Sequence, residues 1–534
     1  MHWADTLAEQ VIERAKSEQR IANVKCQQTP SGGKHIGNLN DVVRAYFPYK
    51  AVMERGEQAT FVHTSDDRDP MKEIPKRVAD LECKWFELET LGDFTKHLGK
   101  PYFAVPDPFG CCVSWSRHFT TVWMDGIRAL GMEPTLYYLD DLYRDGSMTP
   151  FVVKMFERIA LAKEIVHKYQ ETKKGVIPYN AICEKCGRIT ATVTGFDLDA
   201  KTIDYSCEGK KLKKREAEGC GHEGTASMLN GKLTWRFEWP ALWALFHTTY
   251  EPFGKDHAEG SWPSGQEIAR RIYDIEPPIP FVYEFFLVSG QKMSASKGNV
   301  YIVQDLLRIV EREPFIYFYT KKPAKQRDMD LQRIFMLTDE YEHAERVYFG
   351  IDKEGNEREA ANVKRSYVLA TPVIPARYIP HIPYTTCVTV AQFASTRGEA
   401  IEMLRQTGHL KDATKDEEEF AWRRVQLART WVNTYASEHK ITVNESVPQE
   451  VTAKLTDGQK RALRALAADL KGPKKWDEEA LQQRVYALKD ADVTAKDVFA
   501  ALYAALINKP TGPRAGLLIK TLGTDRVRKI LESV

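Results

Sequence analysis

Between Ile21 and Thr64 the chain reads strand, glycine-rich turn, helix, strand, and few folds accept that order. Ile21–Gln28 mixes β-branched and polar residues, and Thr29-Pro30-Ser31-Gly32-Gly33 breaks it. Residues 37–55 then carry Val42, Val43, Tyr46, Phe47, Val52 and Met53 as the apolar candidates of a helix, and 60–64 reads as the next strand. Residues 102–105 and 135–139 read as further short strands, with a helix near 116–130 between them. Strands alternating with helices predict an α/β fold on a parallel sheet. In such sheets ligands sit outside the carboxyl ends of the strands, which is where the turn after Gln28 falls.

The rest of the chain predicts a different organisation. Residues 150–175 read as one long amphipathic helix, and 180–225, poor in apolar residues, as a small insertion. Sheet-like material is expected again over 235–250 and 281–288. From about Val303 helices dominate, at 391–409, 416–437, 450–471, 476–490, 494–507 and 524–532. Residues 366–392, rich in Pro and Thr, read as an extended connection. A length of 534 residues implies three or four domains at about 100–200 residues each. Lys+Arg 76 against Asp+Glu 74 leaves a formal charge of +2. That balance argues against a polybasic tail or a large acidic module. It leaves room for a nucleic-acid partner, because charge can be sorted between faces. No apolar run reaches the ~18–20 residues of a membrane span, and the polar start lacks the pattern of a signal peptide, so no membrane role is expected.

Nine cysteines are too sparse for a disulfide scaffold, and a reducing cytoplasm is the expected setting. Cys183, Cys186, Cys207 and Cys220 cluster in the insertion. Cys183-x-x-Cys186 has the knuckle spacing of structural zinc sites. Cys207 and Cys220 are split by a basic loop holding Lys210, Lys211, Lys213, Lys214 and Arg215, with His222 an alternative to Cys220 as fourth ligand. A ligand set of four closes the coordination sphere, so the expected role of zinc is folding, not catalysis. Cys111-Cys112 reads as ordinary packing.

Two segments carry chemistry. In Pro30-Ser31-Gly32-Gly33-Lys34-His35-Ile36-Gly37-Asn38 the glycines admit a ligand close to the backbone, and the following helix aims N–H groups and its positive dipole end at phosphate. His35 and Asn38, one turn apart, can both face that ligand. In Lys292-Met293-Ser294-Ala295-Ser296-Lys297-Gly298-Asn299, lysines and serines are dense enough to neutralise a triphosphate. His-Ile-Gly-Asn resembles the "HIGH" motif, and Lys-Met-Ser-Ala-Ser the "KMSKS" loop, of class I aminoacyl-tRNA synthetases, in that family's order. Thr29-Pro30-Ser31-Gly32, Trp235-Arg236-Phe237-Glu238-Trp239-Pro240, Glu251-Pro252-Phe253-Gly254-Lys255-Asp256-His257, Tyr283-Glu284, Pro513-Arg514-Ala515-Gly516 and Leu522-Gly523 narrow the resemblance to the class I lysyl-tRNA synthetases. Two positions depart from the pattern. Ala295 stands where the broad class often has Lys and this family usually has Ser. Gln27 stands where Gly is expected.

The resemblance implies a Rossmann-type catalytic domain with a zinc-binding insertion, followed by an all-α anticodon-binding domain. Its boundaries would be 1–149 and 230–289 for the catalytic halves, 150–229 for the insertion, 290–354 for a connecting domain with the lysine loop, and 355–534 for the anticodon domain. It implies attachment of L-lysine to tRNA(Lys) through a lysyl-adenylate. His35, Asn38, Lys292, Lys297 and Mg²⁺ would stabilise charge gathering on the phosphates. Pro30, Ser31, Gly32, Gly37, Met293, Ser294 and Ser296 would complete the ATP site. Thr29, Trp235, His257 and Tyr283 match positions lining the amino-acid pocket. Asp66, Glu238 and Glu284 are the candidates to hold the lysine ammonium. Basic runs such as the split-knuckle loop and Lys321-Lys322-Pro323-Ala324-Lys325-Gln326-Arg327 would follow tRNA phosphates, and Trp422 and Trp431 are candidates to stack on bases. The competing readings are another class I synthetase, glutamyl the nearest, and a zinc-containing RNA-binding protein without catalysis. A monomer is the expectation for the oligomeric state.

Overall fold

The computed structural model describes residues 1–212, 216–294, 298–321, 323, 325–472 and 475–534. They form two units: Met1–Leu306 with Ile316–Met329 and Gly350–Ile374, and Leu307–Phe315 with Asp330–Phe349 and Pro375–Val534.

The first unit is built on five parallel strands: β1 (Ala22–Gln28), β2 (Ala59–Ser65), β3 (Thr135–Tyr138), β4 (Tyr250–Gly254) and β5 (Ile279–Tyr283), in the order β5-β4-β1-β2-β3. The chain runs from β1 to β2 and β3 on one side, then to β4 and β5 on the other. The carboxyl ends of β1 and β4 therefore frame the topological switch point, the place such sheets bind ligands. Helices α1 (Trp3–Ser17), α2 (Leu39–Met53) and α3 (Trp115–Ala129) belong to this unit. Helix α2 buries Val42, Val43, Phe47 and Val52, the face its sequence spacing predicts. Helix α3 starts where Ser114 Oγ accepts from the Arg117 amide. The insertion is a separate five-stranded antiparallel sheet, ordered Glu223–Ser227, Thr202–Ser206, Ala191–Asp197, Tyr179–Ala181, Gly231–Leu233, with a small hairpin of Gly209–Lys211 and Glu216–Glu218.

Four expectations are corrected. Residues 102–105 form a 3₁₀ turn over Tyr102–Ala104, flanked by Pro101 and Pro106, which cannot donate to a sheet ladder. The helix expected over 150–175 is two, Thr149–Glu157 and Ile159–Tyr169, broken at Arg158. Residues 235–250 are mostly helix, α4 (Trp235–Phe246), leading into β4. Residues 366–392 are extended only in their middle, between the helices Glu357–Ala370 and Tyr384–Phe393.

The described part of the second unit is helical. Thr396, Thr414, Thr456 and Thr494 each open a helix with a reciprocal cap, against Glu399, Glu417, Gln459 and Asp497. Its core gathers Leu463, Leu466, Leu481, Val485, Leu502, Leu518 and Ile530 from the five helices Asp457–Leu470, Glu478–Ala487, Ala495–Ile507, Ala515–Leu522 and Thr524–Leu531. Helix Ala515–Leu522 is not read from the sequence; only Gly523 separates it from the next helix, Thr524–Leu531, which hides it.

Candidate active site

The glycine-rich turn leaves β1 at Gln28 and is held from three sides. The Trp115 indole donates to the Pro30 carbonyl at 3.0 Å, the Ile36 amide to the Tyr301 carbonyl at 2.8 Å, and the Tyr319 hydroxyl to the Ile36 carbonyl at 2.8 Å. Gly32 takes φ +124°, where a side chain would be strained. Asn38 is the N-cap residue of α2, and its carboxamide makes no capping bond. His35 Nδ1 is sealed from solvent and has no hydrogen-bond partner among the described residues. Burial, then the charges of Lys34 and Lys292, lower the His35 pKa to about 4, so the ring is neutral at pH 7.

The two motifs meet at Gly37. A Cβ there would lie 2.8 Å from the His35 ring and 3.1 Å from Met293 Cε. Around this contact a cavity of about 240 Å³ is lined by His35, Gly37 and Asn38, by Asp41 of α2, by Gly254 at the end of β4 and Asp256 and His257 just after it, by Tyr283, Phe285 and Phe286, and by Lys292 and Met293. Lys292 Nζ lies 4.3 Å over the Phe285 ring. Asn299 closes the lysine loop, accepting from the Ser294 amide (2.9 Å) and donating to the Lys292 carbonyl (3.2 Å). The expected contributions of Ser296 and Lys297 lie outside the described residues. A second cavity, about 470 Å³, includes Thr29, Ser31, Lys34, Asp69, Tyr102 and Asp256.

Helix α4 brings Trp235, Trp239 and Trp243 to one face at four-residue spacing. Trp235 stacks on Trp239 at 5.3 Å, and both rings pack against His257 at 5.7 and 5.6 Å. Trp239 and Trp243 donate to Glu251 at 3.1 and 2.7 Å, and the buried Lys25 donates to the same carboxylate at 3.1 Å and to Gln27 at 2.6 Å.

The three acids proposed for the lysine ammonium are placed differently from the expectation. Glu238 is fully buried, 2.5 Å from Lys232 Nζ, and accepts from the Tyr143 hydroxyl at 3.2 Å. Burial pushes the Asp66 pKa well above the usual carboxylate range, and the charges of Asp69 and Glu238 add to it, which disfavours the ionised form that an ammonium needs. Glu284 pairs with Lys255 at 2.8 Å. The acids that line the motif cavity are Asp41 and Asp256. Asp41 accepts from the Tyr283 hydroxyl at 2.5 Å. Burial lifts its pKa to about 7, helped by Glu251 and Asp256 and opposed by the Tyr283 bond and Lys34. Asp41 was missed by sequence reasoning, although it stands one turn beyond Asn38 on the same helix face.

In the insertion the four cysteine sulfurs converge within 4.8 Å of one another. Cys183 and Cys220 are 3.6 Å apart, Cys186 and Cys207 3.7 Å. His222 instead lies edge-on to Tyr205 at 6.1 Å. The reading of Cys111-Cys112 as ordinary packing is corrected. With Asp107 and His118 these cysteines form a second group whose ligand atoms lie within 4.8 Å. His118 Nδ1 is 3.1 Å from Asp107 and 3.3 Å from Cys111 Sγ, while Nε2 faces the Ala79 carbonyl at 3.0 Å. Donation from Nε2 leaves the Nδ1 lone pair for a ligand, the arrangement of metal-bound histidines. Trp431 is core: it is 1% exposed and its indole donates to the Leu331 carbonyl at 2.6 Å.

A parallel sheet with two phosphate-directed motifs over one cavity at its switch point defines a nucleotide-binding α/β enzyme domain. The family model of the tRNA synthetases class I (K) matches residues 1–372, and that of an anticodon binding domain residues 431–534. Lysine--tRNA ligase of Halobacterium salinarum is 37% identical over 538 aligned positions, covering 99% of this chain and 96% of that protein. The same-named protein of Methanocaldococcus jannaschii is 32% identical, covering 99% and 98%. A solved glutamate tRNA ligase from Elizabethkingia meningosepticum covers 96% of this chain and 99% of its own, at 11% identity and a TM-score of 0.39, too distant to carry an argument. The chain belongs to the class I tRNA synthetases of the (K) type. Among the described residues no helix is long and apolar enough to cross a membrane.

Proposed function

We propose that this protein joins L-lysine to tRNA(Lys) in two steps: attack of the lysine carboxylate on the α-phosphorus of ATP, releasing pyrophosphate, then transfer of the lysyl group to the terminal ribose of the tRNA. The meeting of the two motifs around His35, Gly37 and Met293 carries this reading. His35, Asn38 and Lys292, with Lys297, hold the phosphates as negative charge develops. The neutral His35 acts by hydrogen bonding and Lys292 by charge. Pro30, Ser31, Gly32, Gly37, Met293, Ser294 and Ser296 complete the ATP site, with Mg²⁺ supplying further charge neutralisation.

Asp41, with Tyr283 and His257 beside it, is the partner we assign to the lysine ammonium. It lines the motif cavity, whereas Glu238 and Glu284 are held by the chain's own lysines. Trp235 and Thr29 complete the amino-acid side. An acid at this place also favours lysine over glutamate, whose side chain would need a cation. The helical domain takes the anticodon. Cys183, Cys186, Cys207 and Cys220 are a donor set suited to zinc, and Asp107, Cys111, Cys112 and His118 are a second. At both, zinc would tie chain segments together. Charging of tRNA(Lys) transcript with labelled lysine, against glutamate and other amino acids, tests the reading. Lysine charging alone supports it, and charging with another amino acid in its place overturns it.

A further inference from the structure

Lys232 is 2% exposed, yet its ammonium lies 2.6 Å from Asp69 Oδ1 and 2.5 Å from Glu238 Oε1. The other Asp69 oxygen accepts from the Thr29 hydroxyl at 2.9 Å. Thr29 and Asp69 both line the 470 Å³ cavity at the carboxyl end of β1. The ammonium is delivered from outside the catalytic sheet. Lys232 is the central residue of strand Gly231–Leu233 and pairs opposite Asn180 in the sheet of the cysteine-bearing insertion. Glu238 is fixed in turn by Tyr143, whose hydroxyl accepts from the Leu233 amide at 2.9 Å.

We propose that Lys232 is a positioning residue for the amino acid: it holds the Asp69 carboxylate, and through it the Thr29 hydroxyl, in the orientation that the substrate meets. A buried ammonium is an expensive way to join an insertion to a sheet, and apolar contacts would do so without desolvating charge. Its placement follows from what it holds. Asp69 faces the cavity, and without Lys232 it would be free to turn its carboxylate toward substrate or solvent and release Thr29. Charge-assisted hydrogen bonds on both oxygens remove that freedom. The proposal rests on the proposed function, in which Thr29 belongs to the amino-acid side of the site.

Lysine-dependent ATP–pyrophosphate exchange, with tRNA present, tests it on the full-length enzyme. Lys232→Met keeps the length of the side chain and removes the charge. The expected result is a rise of about tenfold in the KM for lysine, with the KM for ATP within about twofold, metal content near that of the parent, and a lower melting temperature, because Glu238 is left buried without its cation. In a Thr29→Val background the same change should add nothing, because both substitutions cut one chain of contacts. A lysine KM that stays put, an equal rise in the ATP KM, or additive effects would overturn the proposal. If Lys232→Met does not fold, Asp69→Asn, which keeps the Lys232–Glu238 pair, must show the same lysine KM rise; an unchanged KM there overturns it equally. Parent enzyme that fails to activate lysine would sink the underlying reading, and this inference with it. Parent activity beside an unaffected variant sinks the inference alone.

Discussion

His35 and Lys292 reach the cavity from opposite motifs, and in the function proposed here both meet phosphate. The imidazole, with a pKa near 4, stays neutral through the working range, so its titration should leave no limb in the pH profile between about pH 5 and 8. Replacing either residue by Ala should cost roughly 10²–10³ in the rate of adenylate formation, about 3–4 kcal/mol, with the fold intact; pyrophosphate exchange at the parent rate would contradict the assignment. Asp41 should behave in the opposite way. Its carboxyl titrates near 7, so the ionised form that attracts an ammonium grows in as pH rises through that value. The lysine KM should therefore fall across pH 6–8, and Asp41→Asn should raise it about ten- to a hundredfold and flatten the dependence. The stability sign is the reverse. A folded-state pKa above the unfolded value of about 3.9 means the native state binds the extra proton, so this group withdraws stability as pH rises from that value through 7. That His35, Asn38, His257 and Tyr283 share one cavity lining is legible from the motifs, because one short stretch carries both type and spacing. The pairing of Glu238 with Lys232 is not legible, because nothing local reveals that Lys232 folds onto it.

At the scale of elements, period decides what the sequence shows. Strands β1 and β2 and helices α2 and α3 each repeat one pattern over enough residues to be read. Helix α4 falls where sheet is expected, although Trp235, Trp239 and Trp243 recur every four residues, the signature of a helix face. That face points two indole N–H groups at Glu251 on β4, where Lys25 of β1 also arrives. The neighbouring parallel strands are thus pinned by a fully buried ion pair, which no local pattern forecasts. Glu251→Ala would leave the Lys25 ammonium uncompensated in the interior, at a cost of about 3–5 kcal/mol in denaturant unfolding. Adding Lys25→Met should recover much of that loss. A single variant as stable as the parent would show that water reaches this pair.

Over the whole molecule, the near-neutral balance of 76 basic and 74 acidic residues conceals local sorting. Asp41 and Asp256 line the motif cavity and Asp69 lies beneath Thr29, while Lys232 and Lys25 pair with the buried acids Asp69, Glu238 and Glu251. The same contrast governs the cysteines. The insertion cluster was readable because two of its ligands share one knuckle. The second group was not, because its histidine lies a helix turn into α3 and its aspartate precedes the cysteine pair, so only folding of the loop before α3 brings them together. Neither group lies on the lining of the motif cavity, so metal at these places should act on folding and leave the chemistry to the motif residues. The purified protein should therefore carry about two zinc ions per chain if both donor sets bind. Cys183→Ser or Cys207→Ser should remove one, and His118→Ala the other, without affecting its counterpart. Elemental analysis beside thermal melting decides the matter. Loss of one metal should lower the melting temperature in each variant, since ligand binding to the native state alone is folding free energy. A parent protein with no stoichiometric metal would reduce both groups to neighbouring thiols, and one with a single metal would be assigned by whichever variant loses it.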